Sequence, residues 1–113
     1  MTNIRVLHID DDPLYQAQVE DLLGQATGVS FAYKGVSTPA AFWQENLKAY
    51  DALLVDLHLG EGVSGIDIVQ KAASQGVPIF VFSNDVQAIR QSLRAGARTS
   101  SPKPRPKTSL FYV

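Results

Sequence analysis

Four short apolar runs recur along the chain, and each is followed by a stretch whose apolar residues repeat at helical spacing. The runs occupy residues 4–9, 29–33, 52–55 and 79–82, and the second of them alternates in the manner of a strand. Runs of this length, bounded by turn residues, are typical of strands buried in a parallel sheet. The stretches that follow them predict four amphipathic helices, the last at residues 86–95. This alternation predicts an α/β domain with right-handed crossovers and helices on both faces of one sheet.

Two of these helices have clear start signals. Asp12 precedes Pro13, and Thr38 precedes Pro39. A side-chain oxygen at the N-cap, followed by proline at the first helical position, favours the start of a helix. Each of the two helices also has apolar residues that we expect to face the core. These are Leu14, Tyr15, Val19, Leu22 and Leu23 in the first helix, and Phe42, Trp43 and Leu47 in the second.

The end of the chain departs from this alternation. Residues 98–107 contain three alternating prolines, which excludes both a helix interior and a central strand. Residues 109–113 are again mostly apolar and could form a short strand. We therefore expect a domain over residues 1–104 and a basic, proline-rich tail over residues 105–113. The tail is predicted to add to its own sheet or to that of a second copy, giving a swapped homodimer.

Composition narrows the class of protein. The chain has 113 residues, 45% of them apolar, which suits one globular domain, and its lack of cysteine excludes disulfides and thiol chemistry. No segment approaches the ~18 consecutive apolar residues of a membrane helix, so a cytoplasmic protein without a membrane partner is expected. Beyond Asp85 the charged residues are all basic. No aromatic residues interleave them as base stacking requires, so nucleic acid is not the predicted partner.

Three of the predicted strands end in residues with oxygen-bearing side chains. Asp10 and Asp11 follow the first strand, Asp56 the third and Ser83 the fourth. In open parallel sheets, ligands bind at the carboxyl ends of the strands. Carboxylates gathered there would repel one another, and Mg²⁺, which prefers hard oxygen ligands, would relieve that repulsion. Asp56 could then act as a nucleophile toward phosphorus, with Ser83 hydrogen-bonding the added phosphoryl group.

The order and spacing of these residues resemble the receiver domain of two-component response regulators. Receivers have an acidic pair after the first strand, a phosphoacceptor aspartate after the third and a serine or threonine after the fourth. An Ala-Gly-Ala stretch followed by Lys-Pro comes later. The matching residues are Asp10 and Asp11, Asp56, Ser83, residues 95–97, and Lys103 with Pro104. The resemblance covers residues 3–104.

The resemblance implies a flavodoxin-like, doubly wound parallel sheet, a (βα)₅ fold with strand order 2-1-3-4-5. Its fifth strand would fall at residues 99–102. The usual last helix would be missing or replaced by a short carboxyl-terminal strand, because only nine residues follow Pro104. Ser100 stands where receivers carry an aromatic switch residue.

The resemblance also assigns roles to site residues. Asp56 would be phosphorylated by a histidine kinase or phosphotransfer protein. Mg²⁺ would be held by Asp11, Asp56 and the backbone carbonyl of His58, with Asp10 assisting. Such a chain is a regulatory phosphoacceptor rather than an enzyme. The phosphoryl oxygens would be held by Lys103 and by the backbone amide of Asn84.

Three interpretations remain open at this point. The favoured one is a stand-alone response regulator that signals through contacts with a downstream protein. A degenerate receiver, serving as a phosphorylation-independent interaction or dimerisation module, is favoured by Ser100 and the polar fifth strand. A third is a metal-dependent phosphatase or nuclease using Asp10 and Asp12. The haloacid-dehalogenase pattern, however, has a threonine where Leu14 stands, and the Toprim pattern has a glutamate after its first strand.

Overall fold

The computed structural model describes residues 2–57, 59, 65–83, 94, 96–97 and 99–102. These residues contain the strands β1 (Thr2–Ile9), β2 (Val29–Val36), β3 (Ala52–Asp56), β4 (Ile79–Ser83) and β5 (Thr99–Pro102). They also contain the helices α1 (Pro13–Gly24), α2 (Pro39–Trp43) and α3 (Gly65–Ala73), with a 3₁₀ turn at Leu47–Ala49. All strand pairs are parallel, in the order β2-β1-β3-β4-β5. The predicted flavodoxin-like sheet and its strand order are confirmed.

The sheet separates two apolar layers. Because successive strand residues point to opposite faces, neighbouring residues of β1, β3 and β4 enter different layers. The layer beneath α2 and α3 receives Leu7, Ile9, Leu53, Val55, Ile79 and Val81 from the strands. The layer beneath α1 receives Val6, Leu54 and Phe82. The three central strands therefore bury mostly apolar residues on both sides, as their apolar runs predict.

Helix α1 begins as its sequence predicts. The Asp12 carboxylate accepts hydrogen bonds from the amides of Leu14 and Tyr15, and proline stands at the start of the helix. Its buried face consists of Tyr15, Val19 and Leu23. The prediction that Leu14 faces the core is wrong, since 75% of that residue is exposed. Tyr15, Val19 and Leu23 form an i, i+4 row, and Leu14 precedes that row on the solvent side.

Helix α2 also starts where predicted, but it is short. The Thr38 hydroxyl accepts from the Ala41 amide at 3.1 Å, and the helix ends at Trp43 after five residues. Phe42 and Leu47 are buried, as predicted. Trp43 is 40% exposed, so its prediction as a core residue is wrong. Its ring packs edge-on against Phe42, and the Lys71 ammonium lies 5.9 Å from a ring centroid of Trp43.

The polar fifth strand forms despite its composition. Thr99–Pro102 pairs with β4 at the edge of the sheet, where a proline does not interrupt a second ladder. The predicted fourth helix, at residues 86–95, lies almost wholly outside the described residues, and so do residues 103–113. In the described part of the chain, no helix is both long and apolar enough to cross a membrane.

Candidate phosphoacceptor and metal site

Three carboxylates meet at the carboxyl ends of β1 and β3. These strands are neighbours in the sheet, so the residue after β1 and the last residue of β3 reach the same edge. Carboxylate oxygens of Asp10, Asp11 and Asp56 all lie within 4.8 Å of one another. Asp10 and Asp56 are buried, whereas Asp11 is exposed. The structure thus brings together the three aspartates that the sequence places at the strand ends.

This donor set fits a magnesium ion. Mg²⁺ binds oxygen ligands at about 2.0–2.1 Å in an octahedron, so opposite ligand atoms lie about 4 Å apart. A spread of up to 4.8 Å among the three carboxylates is close to that distance. The remaining gap suits an ion that keeps several waters and contacts only some of the carboxylates directly. Two buried charges of the same sign in one pocket also favour a bound cation, because their desolvation is otherwise costly.

The turn after β1 holds Asp10 in a fixed place. The Asp12 amide donates to Asp10 Oδ1 at 2.9 Å, and the Asp10 amide donates to the Val36 carbonyl at 3.1 Å. From α1, the Gln16 side-chain amide donates to the carbonyls of Asp10 at 2.6 Å and Val36 at 2.9 Å. These bonds tie the ends of β1 and β2 to α1. The position of the Asp10 carboxylate is therefore set by the backbone before any ion arrives.

A buried histidine lies directly behind Asp10. His8 is fully buried in β1, and its two ring nitrogens face different groups. Nδ1 lies 2.7 Å from the Tyr33 hydroxyl, and Nε2 lies 3.5 Å from Asp10 Oδ2. The sequence predicts only a satisfied core or strand-end histidine at this position. The structure adds that His8 connects Tyr33 on β2 to a carboxylate of the cluster.

These contacts assign the tautomer of His8. Burial, followed by the charges of Glu20 and Asp10, raises the pKa of Tyr33, so its hydroxyl keeps its proton and donates to Nδ1. With the Tyr33 hydroxyl donating to Nδ1, the ring proton of His8 is on Nε2, which lies 3.5 Å from Asp10 Oδ2 without a hydrogen bond between the two atoms. His8 is thus a buried neighbour of Asp10, whose carboxylate is held by the Asp12 amide.

Removing the Tyr33 hydroxyl tests this assignment. Tyr33→Phe leaves Nδ1 of a buried histidine without its donor, so we expect a loss of about 1–2 kcal/mol in the free energy of unfolding. Nitrogen NMR of the wild-type chain should show His8 protonated at Nε2, and Tyr33→Phe should mix the two tautomers. Tyr50→Phe makes the same change at a hydroxyl bonded to Glu45 and should leave the His8 signals unchanged. A wild-type proton on Nδ1 would overturn the assignment.

Comparison with known proteins finds solved structures that share this architecture. No protein-family model matches the chain, and no curated protein matches it by sequence. Solved structures do match. A response regulator receiver protein from Pseudoalteromonas atlantica aligns with TM-score 0.75 at 19% identity, over 88% of this chain and 84% of that one. The receiver domain of the putative response regulator NarL from Mycobacterium tuberculosis aligns with TM-score 0.75 at 21% identity, over 97% and 88%.

A third match is a LuxR-family two-component response regulator from Aurantimonas, with TM-score 0.74 at 19% identity, over 90% of this chain and 75% of that one. The chain has the receiver-domain fold. At these identities the likeness concerns the fold alone. The acidic cluster stands where the resemblance in the sequence places the receiver phosphorylation site.

The structure describes only some of the other predicted site residues. Ser83 ends β4, and its backbone pairs with Pro102. Asp56 pairs with Phe82, so Ser83 stands one position further along the strand next to the candidate phosphoacceptor. His58, Asn84 and Lys103 lie outside the described residues. Their predicted roles remain predictions.

Gly65, at the start of α3, packs directly onto the backbone that follows the candidate phosphoacceptor. Its amide donates to the Leu57 carbonyl at 3.0 Å. A Cβ at this position would collide with the Asp56 carbonyl oxygen and lie 2.8 Å from Leu57 Cα. Only glycine therefore allows this approach of α3 to the receiver site. The sequence shows Gly65 in a glycine-rich loop but does not indicate this contact.

Gly65→Ala is expected to shift the backbone at Asp56. We expect a loss of about 1–3 kcal/mol in the free energy of unfolding, because the neighbours that must yield are backbone atoms. We also expect Gly65→Ala to lower the affinity for Mg²⁺, which calorimetric titration measures. Gly24→Ala is the matched control: nothing lies within 4 Å of its added carbon, and the change should be neutral or slightly stabilising. Equal behaviour of the two variants would contradict the packing argument.

The sequence predicts the carboxylates of the cluster but not the residues that hold them in place. Gln16, Tyr33 and Gly65 act through contacts between elements that are distant in the sequence. A signal exists only for His8, a polar residue between the apolar residues Leu7 and Ile9 of the first strand. Tyr33 could be connected to it only once the pairing of β1 with β2 places both side chains on one face.

Proposed function

We propose that this chain is a response-regulator receiver that accepts a phosphoryl group on Asp56 in a Mg²⁺-dependent reaction. The observation that carries the proposal is the cluster of Asp10, Asp11 and Asp56 at the carboxyl edge of a receiver-type sheet. Asp56 is the member at the end of a central strand, buried on the floor of the cluster. That position gives it a fixed orientation toward a ligand above the sheet.

The chemistry required of the chain is modest. An Asp56 carboxylate oxygen attacks phosphorus, an O–P bond forms, and the bond from phosphorus to the donor's nitrogen or oxygen breaks, with the leaving group taking up a proton. When bound, Mg²⁺ supplies neutralisation of charge on the phosphoryl oxygens. Asp10 and Asp11 would provide oxygen ligands, and the Asp12 amide keeps Asp10 oriented. Ser83, Asn84 and Lys103 are assigned to the phosphoryl oxygens, and the His58 carbonyl to the ion.

The partners follow from this role. The phosphoryl donor is a histidine kinase or phosphotransfer protein, and the output is a contact with a downstream protein, in the cytoplasm. The domain is assigned to residues 1–104 and the tail to residues 105–113. The homodimer predicted through that tail lies outside the described residues and stays a prediction.

The test is the mass of the intact chain after incubation with a small-molecule phosphodonor. We expect a gain of one phosphate with Mg²⁺ and none with a chelator. Asp56→Asn should abolish the gain, whereas Asp67→Asn, at an exposed aspartate of α3, should keep it. A phosphate gain by Asp56→Asn equal to that of the wild-type chain would overturn the proposal.

A separate observation supports the alternative of a degenerate receiver. β5 is a polar strand with Ser100 at its second position, opposite Val81. A chain that binds Mg²⁺ but gains no phosphate from any donor would favour a phosphorylation-independent interaction module. The same mass measurement therefore separates the two functions.

A further inference from the structure

An open apolar groove of about 400 Å³ lies on the α1 face of the sheet. Val6, Leu54 and Phe80 form its floor, and Leu23 and Phe31 line its sides. It lies toward the amino ends of the strands, at the opposite end of the sheet from the carboxylates. Helix α1 packs against the β2 side of this face. In the described part of the chain, no second helix covers the β3 and β4 side.

The lining does not suit a small-molecule ligand. Small-molecule sites combine apolar walls with a few polar groups that orient the ligand. Among the described residues that line this groove, only Asp51 is charged, and it forms an ion pair with Arg5. The Arg5 amide and guanidinium both donate to Asp51 Oδ2, at 2.9 and 3.2 Å, and hold the pKa of Asp51 below its usual range. What remains is a surface for apolar side chains.

The chain itself contains such side chains within reach. Residues 110–113 read Leu-Phe-Tyr-Val and are defined here as the tail segment. Pro102, the last residue of β5, pairs with Ser83, three positions beyond Phe80. Measured from Pro102, the groove therefore lies about 10 Å back along the strands. Its part at β3 lies about 10 Å across the sheet from Pro102. Residues 103–109 span up to about 23 Å when extended, which is more than this diagonal requires.

We propose that the tail segment docks in this groove of its own chain and takes the place of a covering helix. Three alternating prolines precede this segment in the sequence, and such a pattern favours an extended chain over a helix, which suits a strap across the sheet. A short tether holds the segment at an effective concentration near the millimolar range. The same segment on a second copy, at micromolar concentration, competes poorly. The proposal therefore favours docking within the chain over the swapped dimer expected from the sequence.

A spin label on the tail measures this directly, because the chain has no cysteine to compete for the label. Val113→Cys, carrying a nitroxide, should broaden the NMR signals of Ile4, Leu23 and Phe31 in the same chain to a small fraction of their diamagnetic intensity. Signals of Trp43 and Lys71, on the opposite face, should keep theirs. Phe111→Asp added to the labelled chain should restore the groove signals, and Thr108→Asp should not.

A mixed sample identifies which chain the tail occupies. Labelled chains without ¹⁵N are combined with unlabelled ¹⁵N chains. Broadening within one chain and none in the mixture supports the proposal. Broadening of Ile4 and Phe31 in the mixture would assign the groove to a second copy and overturn it. Absence of broadening at the groove in both samples would overturn it as well. Because the labelled chain otherwise has the natural sequence, these outcomes do not depend on whether a groove variant folds.

Discussion

Asp11→Asn should make the chain more stable in the absence of divalent cations and largely insensitive to Mg²⁺. Asp11 is the exposed member of three carboxylates whose oxygens lie within 4.8 Å. Removing its charge relieves repulsion on Asp10 and Asp56, so the unfolding midpoint measured in a chelator should rise. The same change removes an ion ligand, so Mg²⁺ affinity should fall roughly tenfold or more, about 1.4 kcal/mol.

The matched control for Asp11→Asn is a substitution at the neighbouring aspartate, Asp12. Asp12→Asn also removes one negative charge, but Asp12 serves as the N-cap of α1, a role that asparagine fills equally well. It should retain the Mg²⁺-dependent rise in the unfolding midpoint, which follows from binding to the folded state alone. Thermal unfolding with and without Mg²⁺ decides the point. A full Mg²⁺ response in Asp11→Asn would contradict the assignment of the metal site.

Phe82→Ala should be the most damaging single core substitution near the site. Phe82 is 1% exposed, stacks edge-on against Tyr15 at 6.2 Å between centroids, and pairs with Asp56 across β3 and β4. Truncation leaves a cavity between the sheet and α1, at a cost of about 3–5 kcal/mol. That is a large fraction of the total stability of a domain this size.

Chemical denaturation measures this loss, and Leu14→Ala provides the control. Leu14 is also a large apolar residue, but it is exposed on α1, so its truncation should change the free energy of unfolding by no more than about 0.5 kcal/mol. If the two substitutions cost the same, the core assigned beneath α1 would be wrong.

The sheet was predictable because its signals are local. Residues 52–55 and 79–82 are continuous apolar runs, and residues 4–9 are interrupted only by Arg5 and His8. The helix starts at Asp12 and Thr38 are fixed by a side-chain oxygen followed by proline. The exposed positions of Leu14 and Trp43 were not predictable from apolar character. Leu14 falls outside an i, i+4 row, and Trp43 ends a helix of five residues. Such details depend on where each helix stops and what it packs against.

The site residues likewise divide into those that the sequence predicts and those that it does not. The three aspartates could be placed together from the sequence because parallel strands bring their carboxyl ends to one edge. The residues behind them could not. His8 meets Tyr33 only through the pairing of β1 with β2, and Gly65 meets the Asp56 backbone only through the packing of α3. Supports of this kind are contacts between elements, and a linear pattern does not encode them.

The central claim is that Asp56 itself carries the phosphoryl group. Reduction with borohydride converts an acyl phosphate to an alcohol, which marks the modified aspartate for peptide mass mapping. After treatment with phosphodonor and Mg²⁺, we predict the mark on Asp56, and none on Asp10 or Asp11. A mark on Asp10 or Asp11 instead, or a phosphorylated chain with no marked aspartate, would contradict the account.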